Sequence, residues 1–172
     1  MKKIIICLIS LMFSFSMAGI GLAADGTAET VIKVKGAISV MTAKIGPAGG
    51  TIEVEKDCPI KGFQIVIPQN AYKTEKTFEI SYFEIPAGKY KGGGTPYSPL
   101  IIVNNGGGYA KGILSVKIPV KMPEGAFAMA GYIDPESFSI VDMLPVTELK
   151  KDYITSITKN FDMPFLVTGM QQ

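Results

Sequence analysis

From about Thr30 to Met170 the chain is written in short runs in which apolar and polar residues alternate, broken by glycine and proline. Ile32 and Val34 alternate with Lys33 and Lys35, and Ile38 and Val40 continue the run beyond Gly36. Ile52 and Val54 alternate with Thr51, Glu53 and Glu55, while Phe63, Ile65 and Ile67 share one face. Phe78, Ile80 and Tyr82 alternate with Thr77, Glu79 and Ser81. The longest run sets Leu114, Val116, Ile118 and Val120 against Ser115, Lys117, Pro119 and Lys121. Successive side chains of a strand point to opposite faces, so each run predicts a strand with one buried face. Pro119 has no N–H for a ladder, which predicts an edge strand or a bulge there.

Leu100 to Val103 is apolar on both faces and predicts a central strand. Phe127 to Ile133, Phe138 to Leu144, Tyr153 to Thr158 and Phe165 to Thr168 complete nine or ten candidates. Turn chemistry separates them at Pro47-Ala48-Gly49-Gly50, Pro68-Gln69-Asn70-Ala71, Gly92-Gly93-Gly94, Asn104-Asn105-Gly106-Gly107-Gly108 and Asp134-Pro135-Glu136-Ser137. Beyond the first two dozen residues, no window longer than about ten residues has helical spacing. The expected fold is all-β: a single β-sandwich of Greek-key type.

The start of the chain has a different pattern. Lys2 and Lys3 precede Ile4-Ile5-Ile6-Cys7-Leu8-Ile9 and Leu11-Met12-Phe13, and small residues follow at Ala18-Gly19. This is the layout of a secretory signal peptide over 1–24, with cleavage after Ala23 or Ala24. An uncleaved membrane anchor is the alternative, although Ser10, Ser14, Ser16, Gly19 and Gly21 dilute the apolar stretch. The expected product is periplasmic or extracellular, meeting the membrane only through the transient leader. The organisation read from the chain is a leader at 1–24, an N-terminal strand segment at 25–42 and the sandwich at 43–172.

Composition narrows the chemistry. The chain has no histidine and no arginine, and all 17 of its basic side chains are lysines. Ser-His and Cys-His couples and imidazole-held zinc are therefore excluded, and the bidentate guanidinium fork is missing. Removal of Lys2 and Lys3 with the leader leaves lysines and the 15 acids in balance, which argues against nucleic acid as a partner. Cys58 is then the lone cysteine, so an intrachain disulfide is impossible. An idle thiol and a bridge between chains both stay open.

The phrase from Ile45 to Tyr72, with Gly49-Gly50-Thr51-Ile52, Phe63-Gln64-Ile65-Val66-Ile67-Pro68 and Asn70-Ala71, resembles the opening of the ZU-five domain. That module is found in zonula occludens proteins, netrin receptors, ankyrins and bacterial surface proteins. Tyr97-Ser98-Pro99-Leu100-Ile101 is similar to its Ser-Pro strand. Gly107-Gly108-Tyr109-Ala110-Lys111 with Val116-Lys117-Ile118-Pro119 is similar to its later Gly-rich and Ile-Pro segment. Ala130 to Glu136 resembles the Tyr-x-Asp-Pro turn of bacterial members, although the tryptophan often found beyond it is Val141 or nearby here. The likeness runs from about Ala43 to Val167 and implies a β-sandwich that works by contact. Some relatives cleave their own backbone at His-Phe-Ser. The matching place here is Asn160-Phe161-Asp162, which lacks both base and hydroxyl, so Phe161 is expected to pack inward on a strand.

Other chemistry is thin. Neither glycine triplet is followed by the Lys-Ser/Thr and helix of a phosphate loop. Asp134, Glu136 and Asp142 offer oxygens for calcium, and Asp-Pro-Glu-Ser is equally an ordinary turn. Glu53, Glu55, Glu79 and Glu84 supply carboxylates for glycoside hydrolysis, but the first three fall on outward strand positions. Tyr90, Tyr97 and Tyr109 lie in or beside the glycine-rich loops with Asn104 and Asn105, and exposed rings there can stack on sugars or anchor a protein. The expected function is a non-catalytic exported interaction module using these five residues, with no cofactor or metal. Its partner would be an unknown protein or a cell-surface polymer. The alternatives are a carbohydrate-acting or calcium-assisted enzyme on the same sandwich, and a subunit of a surface fibre.

Overall fold

The computed structural model describes residues 31–170. The signal peptide expected at 1–24 and the beginning of the 25–42 segment lie outside the described residues. Among the described residues there are twelve strands and no helix. One sheet runs β1 (Ile38–Ile45), β4 (Lys76–Phe83), β6 (Leu100–Asn104), β12 (Phe165–Met170), β8 (Phe127–Ile133) and β9 (Ile140–Leu144), with β5 (Thr95–Pro96) also paired to β12. The other runs β10 (Val146–Leu149), β11 (Tyr153–Thr158), β7 (Leu114–Pro119), β3 (Gln64–Ile67) and β2 (Gly50–Glu53). Every pairing is antiparallel. The two sheets pack face to face, so the chain is the β-sandwich that its alternation predicts.

The inner faces meet over a core in which Phe63, Phe78, Phe161 and Phe165 are the largest fully enclosed side chains. Phe165 on β12 lies 6.1 Å from Phe63, 6.2 Å from Phe161 and 6.4 Å from Tyr132, measured between ring centroids. Tilted and edge-on rings at this spacing add to the free energy of burial itself. β7 shows the alternation in its simplest form, with Leu114, Val116 and Ile118 buried and Ser115, Lys117 and Pro119 half-exposed. β6 sits inside its sheet, as expected, and is covered on both faces. Its outward Leu100 joins Leu166 and Ile133 in a second apolar cluster. Phe83 and Phe138, stacked 5.8 Å apart, lie over that cluster with Val34, Ile85 and Tyr90.

Five details depart from the sequence reading. β7 is an interior strand, not an edge. Val120 N–H donates to Asp152 O, so the neighbouring Pro119 nitrogen faces the β3 side. Pairing with β3 has already ended there at Lys117, and no ladder bond is lost. Ile38 and Val40 do not share an inward face, because the register with β4 shifts between Ser39 and Met41. That bulge turns Met41, Ala43 and Ile45 towards the core and leaves Ile38 exposed. β1 also runs through residue 43, so the division at 42/43 falls inside a strand. Ile32 and Val34 are not in a strand, and Phe161, although buried, lies in the turn between β11 and β12.

Replacing Phe165 with Ala removes the ring that touches three others. It should cost about 3–5 kcal/mol of folding free energy, read from the shift of the urea midpoint by far-ultraviolet circular dichroism.

Candidate functional site

Two concave places involve the residues singled out above, and each arises from an interruption of a strand. The first begins where β5 hands over to β6. Pro96 and Pro99 cannot donate to a ladder, and the backbone bends at Tyr97 and Ser98 between them. Ser98 repairs the break: its Oγ accepts the Val167 N–H at 2.9 Å and donates to Pro99 O at 3.0 Å. Tyr97 N–H donates to Val167 O. The bend leaves a cleft of about 430 Å³ lined by Tyr90 and Tyr97 together with Glu84, Pro86, Pro96 and Pro99. Tyr90 and Tyr97 therefore come together, as two walls of one cleft. Burial pushes the Tyr90 phenol above its ordinary range, with the Thr168 hydroxyl acting against it.

The turn that leads into β5 needs glycine. Gly94 has φ +73°, and a Cβ there would press on the Gly169 carbonyl oxygen of the adjoining strand. Thr168 Oγ1 closes the same loop by donating to Thr95 O at 3.1 Å or Gly93 O at 3.3 Å.

The two asparagines serve the fold. Asn104 pairs with the backbone of Ile32 in both directions, accepting its N–H at 2.8 Å and donating to its carbonyl at 3.2 Å. It thereby fastens the start of the described chain to β6. Asn105 is only 1% exposed. Its Oδ1 accepts the Gly107 N–H at 3.1 Å and its Nδ2 donates to the Tyr72 hydroxyl at 3.2 Å. An amide so enclosed presents nothing to a partner, so Asn105 is corrected from a contact residue to the latch of its own loop.

That latch positions Tyr109. Ala110 N–H donates to Lys159 O at 2.7 Å and Lys111 N–H to Ala71 O at 2.9 Å, which ties the loop to the β11–β12 and β3–β4 connections. On this braced backbone Tyr109 is 74% exposed. It stands at a second concavity, again of about 430 Å³, with Ile113, Met143, Pro145, Ile157 and Tyr132. The notch lies where β10 stops short: it pairs with Ser156, Thr155 and Ile154, Pro145 O takes the Ile157 N–H, and Thr158 at the end of β11 has no β10 partner. Asp142, Lys159 and Asn160 form its polar surround. Inside it the Tyr132 hydroxyl lies 2.6 Å from Thr158 Oγ1. Burial raises the Tyr132 phenol, the Thr158 hydrogen bond lowers it, and the nearby Asp162 and Asp142 charges raise it further. The sequence reading did not gather Ile113, Met143 and Ile157 into one place; the unbroken apolar pair Met143-Leu144 was the only hint of it.

The carboxylates are arranged as turn and surface groups. Asp134 accepts the Glu136 N–H at 3.0 Å and the Ser137 hydroxyl at 2.7 Å, which holds its carboxyl below the usual range. The Asp-Pro-Glu-Ser segment is thus a turn closed by its own aspartate. Asp142 accepts the N–H of Met143 at 2.8 Å. Glu53, Glu55 and Glu79 are exposed, as their strand positions predict. Among the described residues no three potential metal-ligating side chains cluster. Cys58 is half-buried against the core with a free thiol.

Asn105→Ala should cost about 1–3 kcal/mol by leaving buried partners unpaired, whereas Tyr109→Ala should stay within about 0.5 kcal/mol; urea titrations of the two variants make the comparison. A second prediction follows from the raised tyrosines. Below pH about 10 tyrosine is neutral in both folded and unfolded chains. As pH climbs further the unfolded chain loses its protons first, so stability falls. Tyr132→Phe should flatten that alkaline fall in the urea midpoint.

In comparison with known proteins, no family model matches this chain and no curated protein matches it.

Proposed function

We propose that this chain is an exported, non-catalytic β-sandwich interaction module of ZU-five type, which holds a protein or cell-surface polymer at the Tyr109 notch. The observation that carries the reading is the Tyr109 ring, 74% exposed, beside Ile113 at 56% and Met143 at 41%. Large apolar side chains with a polar surround have the make-up of a binding centre. Because the loop is braced by backbone hydrogen bonds and the ring has two torsions to fix, docking loses little conformational entropy. The resemblance of the 43–167 region to the ZU-five pattern supports the same class of function, and the leader pattern supports export. Asp142 and Lys159, of opposite sign at the rim, would orient the partner.

The experiment is site-specific photocrosslinking in the native host, with a benzophenone amino acid at position 109 or at position 53 on the far edge strand β2. A discrete adduct from position 109, absent from position 53, is expected. No adduct at 109, or equal adducts at both, would overturn the assignment. Once the partner is isolated, Tyr109→Ala should weaken binding by about 2 kcal/mol or more, roughly thirtyfold.

A further inference from the structure

The Tyr90–Tyr97 cleft is separate from the Tyr109 notch and shares no lining residue with it. Pro86, Pro96 and Pro99 line it, and each contributes a carbonyl oxygen with no N–H. The donors of the 97–98 step are spent on β12: Tyr97 N–H and Ser98 N–H both point to Val167 O, and the Ser98 hydroxyl goes to Pro99 O. Lys89 N–H is taken by Pro86 O and Lys91 N–H by Phe138 O. Glu84 is the cleft's one charged side chain, and it forms no ion pair among the described residues. Lys89 and Lys91, the neighbours of Tyr90, do not line the cleft.

Two phenol rings and a carboxylate outside any ion pair, with no lysine at the wall, favour one kind of guest. It must be cationic and tolerate aromatic walls. We propose that this cleft binds a small quaternary alkylammonium group, with Tyr90 and Tyr97 as aromatic walls and Glu84 as counter-ion. Aromatic rings attract a desolvated ammonium through their negative faces, and the carboxylate adds a Coulombic component. An anion would meet the like charge of Glu84 with no lysine to offset it. The volume of about 430 Å³ lies in the range of small-molecule sites.

The test uses choline chloride and its neutral isostere 3,3-dimethylbutan-1-ol, titrated into the 15N-labelled protein and followed by amide shifts. Choline should bind with a millimolar dissociation constant and shift the Glu84, Tyr90 and Tyr97 amides, and the neutral alcohol should bind about tenfold more weakly. Glu84→Gln, a change at an exposed position, should weaken choline while Glu53→Gln leaves it unchanged. Flotation with phosphatidylcholine vesicles tells the source of the group: binding to both assigns a lipid headgroup, and binding to choline alone assigns a free solute. Equal affinity for the two isosteres, or no shift at these amides with choline, would overturn the proposal. Neither result bears on crosslinking at position 109.

Discussion

The meeting of Phe165 with Phe63, Phe161 and Tyr132 is the contact on which the rest of the sandwich depends. Phe165 belongs to the larger sheet and Phe63 enters the smaller one, so their packing fixes how the two layers are placed. Phe161 reaches the same point from the β11–β12 turn, which ties that crossover to the core. Tyr132 carries the contact outwards, because its ring packs on Phe165 while its hydroxyl meets Thr158 at the floor of the notch. The proposed contact surface is therefore continuous with the deepest part of the core.

Both concavities come from the same device, a strand that is interrupted and then repaired. Prolines break the approach to β6 and Ser98 restores the lost bond to β12, leaving a cleft beside the repair. Pro145 carries the chain from β9 to β10, from one sheet to the other, and its carbonyl accepts the Ile157 N–H. β10 then covers only part of β11, and the uncovered end becomes the notch. A sandwich with complete edges would have neither. The interruptions are stable because the polar groups they free find partners within the fold.

The fold class was legible because burial on one face of a strand imposes a period of two on the sequence, and β7 and β4 display it without a break. Leu100 to Val103 was legible as a central strand for the complementary reason, having no polar face to expose. The candidate site was legible only in part. Tyrosines on glycine-rich loops are visible in sequence, and Tyr90, Tyr97 and Tyr109 do line concavities. Asn105 carried the same local signature as Asn104 and Tyr109, yet its amide faces inward. Which way a loop side chain turns depends on partners distant in sequence, here Tyr72.

By itself the sequence determined the two-layer architecture, the positions of most strands and the absence of histidine- and arginine-based chemistry. These follow from local periodicity and from composition, which need no knowledge of neighbours. Tertiary structure alone decided that β7 is interior despite Pro119, that the bulge after Ser39 turns Ile38 outward, and that Ile113, Met143 and Ile157 share one notch with Tyr109. Each of those outcomes is a matter of strand order and ladder length. They are set by which strands pair and where each pairing stops, and that information resides in contacts between segments far apart along the chain.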